Sequence, residues 1–508
     1  MDRLCSSNVS STVHMPDSTM SSSTLELLDS TGEDEPACFI DTEVIIIGNG
    51  PAGLSLSTFL SGWLPYYDVN YPHPDARLHD RLAQNATTSL LDQDLSWFEE
   101  EFAEIINPSV RPVAFLIDML MRPPHGHSCL QYVYCPERAL AHVVIGATEF
   151  GGSWTTYDDE MATVSLANWL DLPGFSVSQW LEGKPLVARL PAGVIREYMK
   201  AYVTVMNIES KIRPNTHIET VTKCHDSTTG MDYYTVSGYN SENKPYSMRC
   251  RQVILACGQS IQRHLEVPGE SLNTNIVYDV ASMKKYLHSE QTFMNNTGRV
   301  VVVGDGISAA DAITHCLNNN LPVVHVMRRS DAQLRSTMLS KLTPSVYPEY
   351  ARAYKLMIGK EINKIYTRQT QSIITEVSYS EATVSTPKGL TKVPFDLLVV
   401  CIGRQSELSF LPEKVEFNAD YRCFNDRHMF AVGSVAGDHF IRYLVGGCLQ
   451  VGAALFKEHN ADLKLCQMEL FQIRMANQLR EVERRQKRLR RKPATRCCLI
   501  NRVLSTST

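Results

Sequence analysis

Two glycine clusters stand where the phosphates of a nucleotide could be held. Gly48-Asn49-Gly50-Pro51-Ala52-Gly53 follows the apolar run Val44-Ile45-Ile46-Ile47, and Gly304-Asp305-Gly306-Ile307-Ser308-Ala309 follows Val300-Val301-Val302-Val303. Each reads as a buried strand, a tight turn and the start of a helix, the context that a dinucleotide fingerprint requires. Gly48, Gly50 and Gly53 would let the chain turn sharply, let a pyrophosphate approach the backbone and let the helix pack onto its strand. The unpaired N–H groups and positive dipole end of the helix start attract the phosphate charge. Gly304, Gly306 and Ala309 hold the same places in the second copy. Two such turns in one chain predict two dinucleotides that meet, typically a flavin and a nicotinamide.

Other residues sort the two sites. Arg328 and Arg329 end the apolar run Pro322–Met327, where the adenosine 2′-phosphate of a nucleotide on the second turn would lie. Guanidinium groups read phosphate in bidentate fashion, so the second turn is assigned NADPH; two surface arginines after a strand is the plainer alternative. The Gly-x-Gly-x-x-Ala form of that turn points the same way. The first turn is assigned FAD, because the first and last segments of such chains close around the flavin. Gly151-Gly152-Ser153-Trp154 places small residues where the ADP half of the flavin would pass, or else is a glycine turn before a core tryptophan. Near the chain's return, Gly433 and Asp438 belong to this site, with Asp438 expected at the phosphate–ribitol linker or as the cap of the next helix. Asn168 is a candidate to hydrogen-bond an oxygenated flavin. One expected feature is missing. A dinucleotide site usually carries an acid about 20 residues after the glycines, on the ribose hydroxyls, but the expected second strand here ends in Ile145-Gly146.

The elements that must position these residues follow from periodicity and punctuation. Glu43–Ile47 is a strand and Ala52–Leu60 a helix. A convincing second strand comes only at His142–Ile145, so residues 61–140 are read as an insertion: turn-rich over Pro65–Pro74, then helical over Asp92–Ile106 and Pro112–Met121. Helical spacing recurs over Val194–Met206. Extended segments follow at His217–Thr222 and Tyr233–Val236, and a buried strand ends in Ala256-Cys257-Gly258. Leu397–Ile402 with Gly403-Arg404 repeats that strand-plus-glycine form and is read as the return to the first domain, ahead of a helix near Gly446–Leu455. The predicted class is α/β: two Rossmann-like domains, the NADPH domain (299–395) inserted in the FAD domain (41–298 and 396–460).

Composition bounds the rest. The 508 residues are 44% apolar and 20% charged, ordinary for a globular chain of two or three domains. No apolar run reaches the roughly 20 residues that span a membrane, and the Ser/Thr-rich start has no signal-peptide core. The net charge of −6 gives no reason to expect a specific nucleic-acid partner. It hides an asymmetry: residues 1–36 hold seven acids and one arginine, while residues 480–496 hold nine Lys/Arg and two Glu. Residues 1–40 are expected to be a disordered acidic tail. Residues 461–508 are expected to be a basic helical tail, part of a segment from Ala453 to Lys492 without Gly or Pro. Beside Cys497 and Cys498, that basic run suits a solvated helix end, contact with an anionic membrane surface, or nuclear import. The fourteen cysteines form no Cys-x-x-Cys, so no dithiol of that spacing is encoded and a reducing compartment is expected. No metal-ligand cluster is evident.

Taken together, the chain resembles flavoproteins with two dinucleotide-binding domains, and the flavin-containing monooxygenases are the nearest enzyme group. More specifically it resembles the oxidative stress-induced growth inhibitor family. The resemblance rests on Leu90-Leu91-Asp92-Gln93-Asp94-Leu95, His142-Val143-Val144-Ile145-Gly146, Gly304 to Ala312, Tyr347-Pro348-Glu349-Tyr350 and Ala436-Gly437-Asp438-His439-Phe440-Ile441-Arg442. It covers about residues 41–455 and neither tail. It implies an FAD- and NADPH-dependent monooxygenase: hydride from NADPH to the flavin, capture of O2 as a C4a-hydroperoxyflavin, and oxygen transfer to an unknown small-molecule or protein substrate. It also implies a link to growth restraint, cell death and late cell division, protein partners, and a cytoplasmic, membrane-associated, nuclear or division-site location. Two departures stand out: the absent ribose acid, and the absence of the Phe-x-Gly-x-x-x-His signature usual in flavin-containing monooxygenases. The missing ribose acid, the large insertion and the unusual tails favour a second reading, a largely non-catalytic regulatory protein on an oxidoreductase frame. A disulfide reductase is disfavoured by the lack of a dithiol motif.

Overall fold

The structure, a computed structural model, describes residues 40–183, 187–290, 293 and 298–461, all within the compact unit Ile40–Thr508. The acidic tail before Ile40, the basic run 480–496 and Cys497-Cys498 lie outside the described residues, as does the expected long helix beyond residue 461.

The first sheet is built around Thr42–Ile47, buried on both faces as a central parallel strand must be. His142–Ile145 pairs with it in parallel, Ile47 opposite Ile145, and Ile212–Arg213 follows. On the other side lies Pro245–Leu255, also parallel. That strand serves twice. Its first half forms an antiparallel ladder with Met231–Tyr239, which pairs in turn with His217–Asp226. Its last three residues carry Met429–Ala431 in parallel. The chain therefore leaves this sheet at Leu255 and re-enters it at Met429.

The excursion between those points builds a second sheet, all parallel, in the order Ile276–Val277, Leu397–Val400, Val300–Val303, Val323–Val326 and Tyr366–Gln369. Alternation along a strand sends successive side chains to opposite faces. Val300 and Val302 pack toward the helices Val280–Ser289, Ile307–Asn318 and Pro348–Met357. Val301 and Val303 pack against the antiparallel sheet Ile373–Val377, Glu381–Thr386 and Gly389–Pro394. The two crossings between the lobes pair with each other, Ile261–Gln262 against Arg404–Gln405. The fold is thus α/β, with one dinucleotide-binding lobe inserted into another.

Three expectations change. Leu397–Val400 is not the start of the return to the first sheet. All four residues are buried between Ile276–Val277 and Val300–Val303, so the second sheet draws on strands at either side of 299–395. An apolar run alone names no sheet, and the register does. The inserted region contains a strand, Trp63–Tyr67, paired antiparallel with Leu130–Tyr134. Pro65 is tolerated there because this ladder has only two strands. The helix expected over Asp92–Ile106 shrinks to Trp97–Glu101. Asp94 accepts from the Ser96 N–H, a local bond that competes with a longer helix.

The insertion shares the main core. Leu78, Leu82, Leu91, Phe98 and Phe102 pack in one cluster with Val44, Ile46 and the helix over 441–461. Each buried phenylalanine contributes about 1.5–3 kcal/mol. Asp118, buried on the helix Pro112–Met121, accepts from Arg122 at 2.9 Å and from Arg442 Nε at 3.0 Å. That ties the insertion to the C-terminal helix.

Candidate dinucleotide sites

At the first turn Gly48 has φ +119°, and a Cβ there would lie 2.4 Å from the Ala256 carbonyl oxygen. The helix Pro51–Leu60 sits so close that a Cβ on Gly53 would stand 1.9 Å from the Gly48 carbonyl oxygen. Gly152 also lies close, an added Cβ falling 2.8 Å from the Gly50 Cα. Gly151 does not line the cavity below; its N–H donates to the Asn49 carbonyl at 3.0 Å. Asn49, which sequence reasoning passed over, is buried and fastens the turn. Its Nδ2 donates to Thr148 O at 2.7 Å and Glu149 O at 3.1 Å, and its Oδ1 accepts from Thr148 Oγ1 at 3.2 Å.

Beneath this turn lies a cavity of about 590 Å³, bounded by Gly48, Gly50, Gly152 and Trp154, with Ala256 and Ser434. Its bare backbone edge and the N–H groups left free by the first helical turn fit the pyrophosphate of FAD. A guanidinium from Arg404 lies 5.2 Å from the Tyr157 ring, and both residues line the cavity. Cys257 lines it too, and burial pushes that thiol up to about 12.

Three further expected residues do not line this cavity. Gly433 is packed against the helix start, where an added Cβ would lie 2.8 Å from Ala52 Cβ; its neighbour Ser434 is the one that lines the cavity. Asp438 is buried, but its carboxylate meets Arg111 of the insertion, Nη1 to Oδ1 3.0 Å. Burial raises its pKa, opposed by Tyr421 and Arg111. Arg111 also donates to Ala436 O at 2.9 Å and Ala419 O at 3.1 Å, and lies 4.2 Å from the Tyr421 ring. No sequence signal linked Arg111 to Asp438, because 327 residues separate them. Asn168 is exposed on a short 3-10 turn, away from the cavity lining. An expected ribose acid is absent at the strand end, and the next acid, Glu149, accepts from Asn215 Nδ2 at 2.5 Å.

The second turn repeats the frame. Gly304 has φ +117°, and a Cβ there would lie 2.1 Å from the Cys401 carbonyl oxygen, whereas the space over Gly306 is open to 4 Å. Ala309 is fully buried on the helix Ile307–Asn318. Beneath the turn stands His325, fully buried. Its Nε2 lies 2.5 Å from the Gly304 carbonyl oxygen and its Nδ1 2.8 Å from Tyr366 Oη. A carbonyl only accepts, so Nε2 carries the proton and Nδ1 accepts from the tyrosine. Burial lowers this histidine to about 4. Arg328 is exposed, and Arg329 is ion-paired with Asp305 of the turn itself.

The lobes are clasped beside these sites. Arg189 donates to Glu349 at 2.5 Å and lies over the rings of Tyr347 and Tyr350 at 4.6 and 5.2 Å. Tyr347 Oη donates to Val164 O at 2.6 Å, and Lys284 meets Asp158 at 2.7 Å. The segment Tyr347–Tyr350 is therefore a contact of the inserted lobe with the loop that follows Trp154.

Comparison with known proteins agrees with this geometry. Residues 133–429 match the family described as pyridine nucleotide-disulphide oxidoreductase. The oxidative stress induced growth inhibitor homolog of Caenorhabditis elegans is 41% identical over 432 residues, covering 81% of this chain and 93% of that protein. The chain belongs to the oxidative stress-induced growth inhibitor family. Its human relative, oxidative stress-induced growth inhibitor 2, is 29% identical over 476 residues, covering 81% of this chain and 92% of that protein. Among solved structures, ornithine hydroxylase from Pseudomonas aeruginosa superposes with a TM-score of 0.53 at 12% identity, covering 82% of this chain and 99% of the other. Bacillithiol disulfide reductase from Staphylococcus aureus superposes with 0.51 at 13% identity, covering 83% and 99%. These two likenesses show the fold alone. The family is one of flavin-dependent oxidoreductases whose cofactors are FAD and NAD(P)H.

Proposed function

We propose that this member of the family is an NADPH-dependent flavin monooxygenase, with FAD on the first turn and NADPH on the second. The observation that carries this reading is the wall of the first cavity. Among the described residues Cys257 is its one cysteine, and that thiol is held up to about 12. No thiolate stands there at neutral pH to relay electrons to a disulfide, whereas O2 needs no protein relay. FAD would supply the hydride acceptor and the centre at which O2 is reduced. The chain's residues bind and orient: Asn49 fixes the first turn, Trp154 and Tyr157 wall the cavity against water, and Arg328 and Arg329 take the 2′-phosphate. The names of the relatives support a role in restraining growth under oxidative stress. The test is anaerobic addition of NADPH to the purified flavoprotein, then air, following flavin absorbance, oxygen uptake and peroxide. Bleaching by NADPH followed by oxygen uptake is expected. An unbleached flavin rejects the reading, and full peroxide release without any substrate marks an uncoupled oxidase.

A regulatory role without turnover is the second reading. It is favoured by the acids of the first site: the strand end at Ile145-Gly146 has none, Glu149 is engaged by Asn215, and Asp438 by Arg111. Rescue of a loss-of-function phenotype by Gly50→Asp or Gly306→Asp would favour it over catalysis. We place the basic run 480–496 with Cys497-Cys498 at an anionic membrane surface. A fluorescent fusion truncated after residue 479 should lose that distribution; an unchanged distribution rejects the placement.

A further inference from the structure

One of the two arginines assigned to the 2′-phosphate is already bound to an anion of its own chain. Arg329 lies three residues beyond the strand Val323–Val326, and its guanidinium reaches back to Asp305, which lies between Gly304 and Gly306. The carboxylate is 11% exposed, while the arginine side chain is 46% exposed, so the pair sits at the rim of the site with its cation facing solvent. Only one contact is made, from Nη1 to Oδ1, although a guanidinium offers five donors in a planar fork. The neighbouring Arg328 is exposed and has no ion-pair partner among the described residues. A carboxylate and a phosphate can each offer a guanidinium a pair of anionic acceptor oxygens. Asp305 therefore occupies Arg329 in the way an incoming phosphate would.

We propose that Asp305 is a specificity-determining residue that weakens the preference of the second turn for 2′-phosphorylated nucleotides, by holding Arg329 as an internal stand-in for that phosphate. The inference rests on the assignment of NADPH to this turn. A 2′-phosphate must share or displace the Asp305 contact, so part of its attraction is cancelled. A nucleotide without that phosphate leaves the pair intact and loses nothing. The same acid lies at the start of the helix Ile307–Asn318, where a pyrophosphate is expected, and its repulsion there acts on both kinds of nucleotide alike. Only the ratio of the two affinities isolates the hold on Arg329.

The test is calorimetric titration of the full-length, FAD-loaded protein with adenosine 2′,5′-bisphosphate and with adenosine 5′-monophosphate, for the wild type, Asp305→Asn and Arg329→Gln. The wild type should prefer the bisphosphate. Arg329→Gln should reduce that preference, and Asp305→Asn should raise it by about three-fold, the scale of a half-exposed ion pair. The gain should shrink as salt screens the charges. A loop merely loosened by the substitution lowers both affinities and does not raise their ratio. An unchanged or lowered ratio in Asp305→Asn, with a wild type that still prefers the bisphosphate, overturns the role of Asp305 and leaves the NADPH assignment standing. A wild type with no preference, unaltered in Arg329→Gln, overturns both.

Discussion

The third position of the glycine pattern separates the two turns most sharply. At the first turn it is Gly53, where a Cβ would stand 1.9 Å from the Gly48 carbonyl oxygen. At the second it is Ala309, whose methyl group is present and fully buried. The supports differ as well. The first turn is held by a partner far away in sequence, Asn49 to Thr148 across 99 residues, and in the same lobe Arg111 of the insertion meets Ala436 across 325. The second is held by its own next strand, His325 to Gly304 across 21 residues and Arg329 to Asp305 across 24. One strand–turn–helix frame can thus be tightened by distant tertiary contacts or by its nearest neighbours. With the cofactors placed as proposed above, flavin binding would depend on the insertion, and nicotinamide binding would be a local property.

The largest expected effect tests that dependence. Arg111→Ala leaves the buried Asp438 without its cation, a loss of roughly 3 kcal/mol or more. Thermal unfolding and flavin content should both fall while nucleotide binding to the second turn persists; retention of flavin at full stability would sever the insertion from the first site. Gly53→Ala comes next. Its methyl meets backbone, at a cost of about 1–3 kcal/mol, and the purified protein should be flavin-poor. The reciprocal Ala309→Gly should cost only about 1 kcal/mol and leave the flavin spectrum unchanged. Equal effects would erase the distinction between the turns.

His325→Phe addresses the second turn. It leaves the Gly304 carbonyl and the Tyr366 hydroxyl without a partner, at about 1–3 kcal/mol, so NADPH affinity should drop while flavin stays bound. The pH dependence sharpens this. Burial holds both His325 and His142 near 4 in the folded chain, below the ordinary 6.5. Between those values the unfolded chain binds protons that the folded chain refuses. Stability is therefore lost as pH falls from about 6.5 toward 4, on the order of 3 kcal/mol for each histidine. Denaturant unfolding at pH 7 and pH 4.5 should show that loss in the wild type and a smaller one in His325→Phe. An identical slope in both proteins would mean that His325 takes up its proton as readily in the folded chain as in the unfolded one.

Local pattern was enough for much of this protein. Strand Thr42–Ile47, helix Pro112–Met121 and strand Val323–Val326 were all readable, because burial on both faces and helical spacing leave a strong periodic trace in a few residues. The strand Trp63–Tyr67 was hidden by Pro65, and the helix expected over 92–106 was cut short by the local bond of Asp94.

By itself, the amino-acid sequence determined that two strand–glycine turn–helix frames exist and that arginines follow one of their strands. These are properties of short windows, governed by backbone sterics and side-chain alternation. Tertiary structure alone decided that Leu397–Val400 joins the second sheet, that Arg111 captures Asp438, that Asn168 stays outside and that Arg329 meets Asp305. Each of those depends on which charged or apolar groups are brought together by chain segments whose separation leaves no periodic mark. A side chain's partner is set by the lowest-energy packing of the whole lobe, and that packing is not encoded in any one segment.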